Sequence, residues 1–393
     1  MPPAFHFPDA QQRIEGLSYL DNEPISVLIN DGKIVEIKKI PELSSENQDV
    51  YISPGLIDNQ VNGFDGIAFT GDLTETGVQK VTQALWRRGV TTYLPTLITS
   101  SHEVLLKNFS ILSNAKKDQI NLGSIAGFHL EGPYISPEDG YRGTHAVKYV
   151  RPPDWNEFMQ YYNAAGNNII TVTIAPDLPG AMEFIKKCNK QGIIAAIGHH
   201  DASANVIDEA VRNGARICTH LGNGMSNTIN RHVNPLWPQL SNDHLMISII
   251  CDGFHLRPEE IRVFYKVKGA EKTIITSDVT EYAGMNPGIY TSLVGDPVEL
   301  TADGELRNIQ QHVLYGAACA IDKGVGHVME VTGCSLADAI RMASTNAANL
   351  YGLKDRGTIV VGKRADLILF KIIDHQMEIR ETIVGGKRVH VAG

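Results

Sequence analysis

The sequence lacks an apolar run long enough to cross a membrane. The longest run, LMISIIC, covers residues 245–251, whereas a spanning helix needs about 20 apolar residues. A basic segment followed by an apolar stretch, the mark of a secretory signal, is also missing from MPPAFHFPDAQQRIEG at the start. These two absences predict a cytoplasmic protein that has no membrane partner.

The sequence also lacks a Cys-x-x-Cys pair. Its five cysteines are scattered and odd in number, which argues against a disulfide framework and against a zinc site made of thiolates. We therefore expect buried, reduced thiols at all five positions, which are Cys188, Cys218, Cys251, Cys319 and Cys334.

Positive charge is scarce. The formal net charge is -9, and no run rich in Lys and Arg compensates it, so a nucleic-acid partner is not expected. With 393 residues, 43% of them hydrophobic, the chain can bury a large core and has room for a second, smaller domain. A small-molecule partner fits this composition best.

Eight short apolar runs lie between residues 52 and 280, and eight is the number of strands in a closed (β/α)8 barrel. Their apolar residues are consecutive, as in parallel strands covered on both faces, and helix-like segments such as VQKVTQALWRRG separate them. A doubly wound open sheet shares these features. Polar residues at the ends of the runs favour a TIM barrel of the α/β class, because barrel enzymes hold their catalytic groups there. In chain order the runs are PGLID, GVTTYLPTL, SIAGFHL, IITVTIAP, GIIAAIG, ARICTHL, MISIIC and TIITS.

Both ends of the chain show a different, β-rich pattern. ISVLINDGKIVEIKK and GTIVVGKRADLILF are interrupted by DG and GK turns, and MEIRETIVGGKRVHVAG continues the pattern to the last residue. Neither end is long enough to form a stable sandwich alone. We therefore predict a small β-sandwich domain formed from both termini, residues 1–53 and 354–393, beside a barrel domain of residues 54–353.

Three side chains at the ends of predicted strands have the chemistry of a metal site. Glu131, His199 and His220 follow the third, fifth and sixth apolar runs, which places them around one rim of the barrel. One carboxylate and two imidazoles suit a catalytic divalent metal that keeps a position open for water. His200 follows His199 directly and should point to the opposite face, and His129 is either a core histidine or a support for the site.

Other polar residues at the same rim suit acid–base and binding roles. Asp278 ends the eighth run, where it could take a proton from water and pass it to a leaving amine, although a turn aspartate is the simpler alternative. His145 and His255 could polarise a carbonyl group or hold an anionic group, or be ordinary loop histidines. The loop GNGMSNTINRH at 222–232 offers backbone N–H groups, Asn223 and Arg231 to an oxyanion such as phosphate.

The motifs together resemble the amidohydrolase superfamily and, within it, the N-acetylglucosamine-6-phosphate deacetylases. The resemblance extends over nearly the whole chain, and HLEGP with THLGNGM is its most specific part. The motifs in chain order are PGLIDNQVNG, HLEGP, RGTH, GHHDAS, THLGNGM, DGFH, TSDV and GTIVVGKRADL.

The resemblance implies a site with one metal. Many amidohydrolases carry His-x-His on the first strand for a second metal, whereas this chain has Gln60-Val61-Asn62. It further implies that Glu131, His199 and His220 bind the metal, that Asp278 is the acid and base, and that His145 steadies the carbonyl oxygen. Zn²⁺ is the first expectation, and Fe²⁺, Mn²⁺ or Co²⁺ would suit the same ligands.

The resemblance also implies a substrate and an assembly. Asn223, Gly224, His255 and Arg231 are expected to bind the sugar phosphate, and the arginine of this family reaches into a neighbouring subunit, which implies a homodimer. Two departures weaken the match outside the metal site. Gly222 and Gly224 replace an aromatic residue and an alanine on either side of Asn223, and VLYGAACAID replaces a Gly-Ser segment after the eighth strand.

The expected reaction is hydrolysis of N-acetylglucosamine 6-phosphate to glucosamine 6-phosphate and acetate. Alternatives are the same chemistry on another N-acyl amino sugar or N-acyl amino acid, and a catalytically silent barrel that only binds a sugar. Hydrolysis of a cyclic amide is disfavoured, because enzymes of that kind generally use two metals, which Gln60 and Asn62 argue against.

Overall fold

Eight parallel strands form one sheet in chain order, and each predicted apolar run supplies one of them. The computed structural model describes residues 11–393, so the first ten residues of the predicted 1–53 segment lie outside the described residues. The barrel strands are Leu56–Val61, Val90–Ile98, Phe128–Glu131, Ile169–Ile174, Ile194–Ile197, Ala215–Cys218, Met246–Ile250 and Thr273–Thr276.

Side-chain hydrogen bonds and a backbone bridge join the first and eighth barrel strands. Oδ1 of the buried Asp58 accepts hydrogen bonds from Thr276 Oγ1 and Ser277 N, both at 3.2 Å. Beyond these residues Val61 forms a parallel bridge with Val279. The predicted (β/α)8 barrel is therefore confirmed, with its strand ends gathered around one mouth.

Helices of the barrel pack against the outside of these strands. The first two begin at side-chain caps, because Thr74 accepts a hydrogen bond from Gly77 N and Ser101 accepts one from Val104 N. Within residues 11–393, no helix is both long and apolar enough to span a bilayer. The α-helices up to the eighth strand are Glu75–Arg87, His102–Lys117, Trp155–Ala164, Ala181–Gln191, Ala204–Asn213, Leu236–Ser241 and Pro258–Lys272, with 3-10 turns at Gln119–Asn121 and Val147–Tyr149.

Strands from both ends of the chain share a seven-stranded sheet. Alternate residues of Leu367–Ile373 belong to two cores: Ile368 and Phe370 pack with the barrel, while Leu367 and Leu369 pack in a smaller core with the N-terminal strands. The predicted small β domain from both termini is thus present, and its boundaries at residues 53 and 354 stay a prediction. Its other strands are Gln12–Ser18, Pro24–Asn30, Lys33–Lys39, Tyr51–Pro54, Gln376–Val384 and Lys387–Val391.

Short strands and a final helical segment complete the barrel domain. A two-stranded and a four-stranded antiparallel sheet follow the first and eighth barrel strands, at the end where the mouth lies. Helix Ile321–Thr332 precedes Leu336–Ile340 and Asn346–Leu350, which are joined by a π-helical turn at Arg341–Thr345. The small strands are Gly63–Phe64, Ile67–Ala68, Gly288–Thr291, Pro297–Leu300, Leu306–Asn308 and Val313–Leu314.

Candidate active site

A cavity of about 390 Å³ opens at the mouth of the barrel. The residues that line it come from the ends of the barrel strands and the loops that follow them, as expected for a barrel enzyme. Eight of the nine site residues predicted from the sequence line this cavity, namely Glu131, His145, His199, His220, Asn223, Gly224, His255 and Asp278.

Glu131, His199 and His220 meet at the inner end of this cavity. One ligand atom of each lies within 4.8 Å of the others. Glu131 Oε1 is 2.9 Å from His220 Nε2 and 3.3 Å from His199 Nε2, and the two Nε2 atoms are 3.2 Å apart. The three predicted ligands thus present their ligand atoms to a single point.

The donor set fits a divalent metal. His199 Nδ1 lies 2.8 Å from the carbonyl oxygen of Tyr141, so Nδ1–H donates there and the lone pair of Nε2 faces the cluster. Burial alone would raise the pKa of Glu131, but the close approach of His199 and His220 holds it well below its usual value. A carboxylate and two imidazoles suit Zn²⁺ and the other divalent metals of this series.

Left-handed backbone conformations mark the site. His199, His220 and Asp278 have φ values of 55°, 30° and 52°, which are uncommon for residues other than glycine. Such conformations cost about 1–3 kcal/mol each and persist where the surroundings hold them, often at functional sites. Each lies two residues beyond the end of its barrel strand, and the turn directs the side chain over the mouth.

Gln60 near the end of the first barrel strand and Asn62 just after it hold Asp278. Gln60 Nε2 donates to Glu131 Oε1 at 2.9 Å and to Asp278 Oδ1 at 2.8 Å, and Asn62 Nδ2 donates to the same Oδ1 at 2.7 Å. Burial and the negative charge of Glu131 raise the pKa of Asp278 to about 6. The sequence identified these amides only as replacements for metal-binding histidines and missed their contact with Asp278.

His145 lies beside the metal ligands on the loop after the third strand. Its ring packs edge-on against that of His199 with centroids 4.6 Å apart, and its Nδ1 is 2.8 Å from Thr99 Oγ1. Burial, together with the neighbouring His199, lowers the pKa of His145 to about 3. His145 is therefore a neutral imidazole that can donate or accept one hydrogen bond in the cavity.

A carboxylate orients His255. Asp252 Oδ2 is 2.7 Å from His255 Nδ1, and Oδ1 accepts hydrogen bonds from the backbone N–H groups of Phe254 and His255. Burial would raise the pKa of Asp252, but the bond from His255 lowers it to about 2. The sequence missed Asp252, although a carboxylate three residues before a histidine was a signal that could have identified it.

The loop after the sixth strand forms the outer wall of the cavity. Asn223 and Gly224 line it, and within residues 11–393 the buried Nδ2 of Asn223 has no hydrogen-bond partner. Gly224 has a φ of 59°, and a Cβ atom there would lie 2.8 Å from His199 Nδ1. Arg231 is exposed and is not among the residues that line the cavity of its own chain.

Two further histidines lie outside the cluster. His129 is buried one layer below Glu131, where its Nε2 is 2.7 Å from Thr173 Oγ1 and burial lowers its pKa to about 4. His200 is buried and its Nδ1 accepts a hydrogen bond from Ala202 N at 3.1 Å. His129 therefore supports the polar floor of the site, and His200 contributes to packing beside it.

Comparison with known proteins identifies the family. The sequence profile of the amidohydrolase family matches residues 51–389. The chain belongs to the amidohydrolase family. The resemblance expected from the motifs is thus confirmed, and a divalent metal at the cluster of Glu131, His199 and His220 agrees with the chemistry of an amidohydrolase.

Curated relatives match this amidohydrolase along nearly its whole length. N-acetylglucosamine-6-phosphate deacetylase of Bacillus subtilis (strain 168) is 32% identical over 380 residues, which are 93% of each chain. The protein of the same name from Caenorhabditis elegans is 31% identical over 387 residues, 93% of this chain and 90% of its own. The expected resemblance to this group of deacetylases is confirmed.

Solved structures give the same result. The N-acetylglucosamine-6-phosphate deacetylase of Thermotoga maritima superposes with a TM-score of 0.85 at 27% identity, over 97% of this chain and 100% of its own. The Mycobacterium smegmatis enzyme, solved as a mutant in complex with N-acetyl-D-glucosamine-6-phosphate, has a TM-score of 0.86 at 25% identity, over 97% and 99%. A 5-methylcytosine deaminase from Klebsiella pneumoniae, with a TM-score of 0.62 at 12% identity, shares the fold.

Proposed function

We propose that this amidohydrolase hydrolyses N-acetylglucosamine 6-phosphate to glucosamine 6-phosphate and acetate. The observation that supports this reaction most is that Glu131, His199 and His220 meet at one buried point of the cavity, with Asp278 linked to Glu131 through Gln60. Full-length similarity to deacetylases of this name supports the choice of substrate. Zn²⁺ is the metal we propose for the site, since its ligand preferences match this donor set.

The residues of the chain divide the reaction between them. A divalent metal supplies Lewis-acid polarisation of the amide carbonyl and makes water more acidic when it is bound. Asp278, held by Gln60 and Asn62, takes a proton from the attacking water and later gives it to the leaving amine. His145 donates a hydrogen bond to the negative oxygen that develops on the carbonyl carbon.

The outer wall of the cavity would bind the sugar and its phosphate. Asn223 brings an unpaired buried amide group, and His255, oriented by Asp252, brings a ring nitrogen to the same side. The backbone N–H groups of the glycine-rich loop around Gly224 add donors that suit phosphate oxygens. The expected selectivity for a phosphorylated sugar follows from this set of donors.

The decisive experiment measures acetate release from the metal-loaded protein. Values of kcat/KM for N-acetylglucosamine 6-phosphate and for unphosphorylated N-acetylglucosamine are compared. We expect the phosphorylated substrate to be preferred by about 100-fold, because charge-assisted hydrogen bonds each contribute about 1.5–3 kcal/mol. Equal values would refute phosphate recognition, and a folded, metal-loaded protein that releases no acetate from any acylated sugar would refute the reaction.

We propose a homodimer in which Arg231 binds the phosphate in the partner's site. Its exposure and its position outside the cavity of its own chain support this arrangement. Mixing the Arg231→Ala and Asp278→Asn proteins tests it, because a mixed dimer contains one site with both residues intact. Recovery of about one quarter of wild-type activity is expected, whereas no recovery would place Arg231 in its own site or outside catalysis. A cytoplasmic location stays a prediction.

A further inference from the structure

We propose that Thr99 is a positioning residue for catalysis, and that its hydroxyl group fixes the tautomer in which His145 presents an N–H group to the substrate carbonyl. This inference rests on the proposed deacetylation, in which His145 stabilises the developing negative oxygen. Thr99 itself does not touch the reacting atoms, since its hydroxyl group faces the far side of the imidazole ring.

The contact between Thr99 and His145 is short and buried. Thr99 directly follows the second barrel strand, is 4% exposed, and places Oγ1 2.8 Å from His145 Nδ1. The His145 side chain also lines the cavity, so with Nδ1 turned to Thr99 the other ring nitrogen, Nε2, is the atom that can face a substrate. Thr99 and the substrate thus contact opposite nitrogens of one ring.

The donors and acceptors that are available decide whether Thr99 or His145 donates the hydrogen bond between them. A neutral imidazole carries one proton, on Nδ1 or on Nε2. If Nδ1–H donated to Thr99, the hydroxyl proton would need another acceptor, and within residues 11–393 Oγ1 makes no second hydrogen bond. If the hydroxyl group donates to Nδ1, its proton has a partner, and the imidazole proton resides on Nε2, which is left free for a substrate. The second arrangement gives a donor aimed at the developing oxyanion, as catalysis requires.

The backbone around His145 is held as firmly as its ring. The guanidinium group of Arg142 donates to the carbonyl oxygen of His145 at 2.9 Å and to that of Pro137 at 3.3 Å, which fastens both ends of the loop. Gly132 leaves room for the hydroxyl group, because a Cβ atom there would lie 2.2 Å from Thr99 Oγ1. Arg142 thus holds the main chain of His145, and the hydroxyl group of Thr99 contacts its ring.

Imidazole nitrogen NMR tests the tautomer without any assay of activity. Nitrogen-labelled histidine distinguishes a protonated ring nitrogen from an unprotonated one, and the His145→Gln protein identifies the His145 signals by their loss. In the metal-loaded protein we expect Nε2 to be protonated and Nδ1 to be an unprotonated acceptor. A Thr99→Val protein should show a mixture of both tautomers, whereas Thr99→Ser should resemble wild type. A protonated Nδ1 in wild type would overturn the proposal.

Kinetics test whether the contact matters for turnover. Thr99→Val keeps the shape of the side chain and removes the hydroxyl group, so kcat should fall about 10- to 100-fold with little change in KM. Thr99→Ser, which restores the hydroxyl group, should recover most of this loss. In a His145→Gln background Thr99→Val should cost less than twofold, because Thr99 acts through His145. An equal loss in both backgrounds would show that Thr99 acts elsewhere and would overturn the proposal.

Two controls distinguish the role of Thr99 from a general effect of removing a buried hydroxyl group and from a failure of the proposed function. Thr91→Val makes the same change on the same strand at the other end of the barrel, where the hydroxyl group lies 3.5 Å from Leu56 O, and it should leave kcat unchanged. The second control is the wild-type reaction itself. If no acylated sugar is hydrolysed, the proposed function fails, while the NMR result still accepts or rejects the tautomer.

Discussion

The inner and outer halves of the cavity differ in how firmly the chain holds them. At the inner half Glu131, His199 and His220 are 2–6% exposed, and each ring or carboxylate contacts two or more protein groups. At the outer half the loop from 221 to 235 contains no helix or strand, and Arg231 is exposed. The inner half is thus prepared before substrate arrives.

This difference separates the chemistry of the site from its selectivity. The inner contacts run between barrel strands, as in Gln60 to Glu131 and Gln60 to Asp278, so the barrel itself fixes the reacting groups. The outer groups, such as the unpaired amide of Asn223, acquire partners from the ligand or from another subunit. Changes in the inner half should therefore abolish turnover, and changes in the outer half should alter which substrate is used.

The largest expected effect comes from removing the acid and base of the inner half. Asp278→Asn keeps the size of the side chain and its bonds to Gln60 and Asn62 through Oδ1, but it cannot accept a proton. We expect kcat to fall about 1,000-fold, within the range for loss of general acid–base catalysis. Metal analysis should give the same content as wild type, and a near-normal kcat would exclude this role for Asp278.

An outer residue should show a smaller and more selective effect. Arg231→Ala is expected to lower kcat/KM for the phosphorylated sugar by about 10- to 100-fold, since one charge-assisted hydrogen bond to phosphate is lost. The rate with the unphosphorylated sugar should not change. Arg212→Ala, which removes another exposed arginine from the end of helix Ala204–Asn213, is the matched control. A parallel loss with both substrates would contradict a role in phosphate binding.

Gly224 lies where the outer loop of the cavity contacts the metal ligand His199. An alanine there would be strained by the φ of 59° and would place its methyl carbon 2.8 Å from Nδ1 of His199, so the ring must move. We expect Gly224→Ala to weaken metal affinity about 10-fold, as measured by competition with a chelator. Gly192→Ala, with a φ of 76° and nothing within 4 Å of the added carbon, controls for strain alone. Unchanged affinity would show that the loop moves aside and leaves the His199 ring in place.

The inner half was also the part that the sequence predicted. Strand ends can be read from apolar runs, and parallel strands bring their ends to one mouth, so Glu131, His199, His220 and Asp278 could be placed together. The left-handed backbone of His199, His220 and Asp278, and the amide contacts of Gln60 with two carboxylates, depend on distances across the barrel that the chain order does not contain.

The outer half could not be built from sequence for a physical reason. Loop 222–232 has no periodic pattern from which to infer its path, and its groups act on a ligand or on a second subunit. The position of Asp252 beneath His255 follows from a local turn of three residues, in which its Oδ1 accepts two backbone N–H groups. Thr99 follows its strand like the metal ligands, but its role depends on meeting His145 from another loop.

The smallest expected effect is on the free energy of unfolding and comes from Asp58, which lies below the inner half of the cavity. Asp58 is buried at the barrel seam, its Oδ2 has no partner within the described residues, and burial raises its pKa from 3.8 to about 6. Because the folded protein holds this proton more tightly than the unfolded chain, the contribution of Asp58 to stability is complete below the unfolded pKa and is lost as pH rises through about 6.

Asp58→Asn should remove about 1 kcal/mol of the decrease in unfolding free energy between pH 5 and pH 8. Denaturant unfolding at both pH values measures it, with exposed Asp72→Asn as the control. An identical pH dependence in wild type and Asp58→Asn would mean that ionisation of Asp58 does not lower the unfolding free energy. Hydrogen bonds across the barrel would then be the interactions that hold the inner half in place.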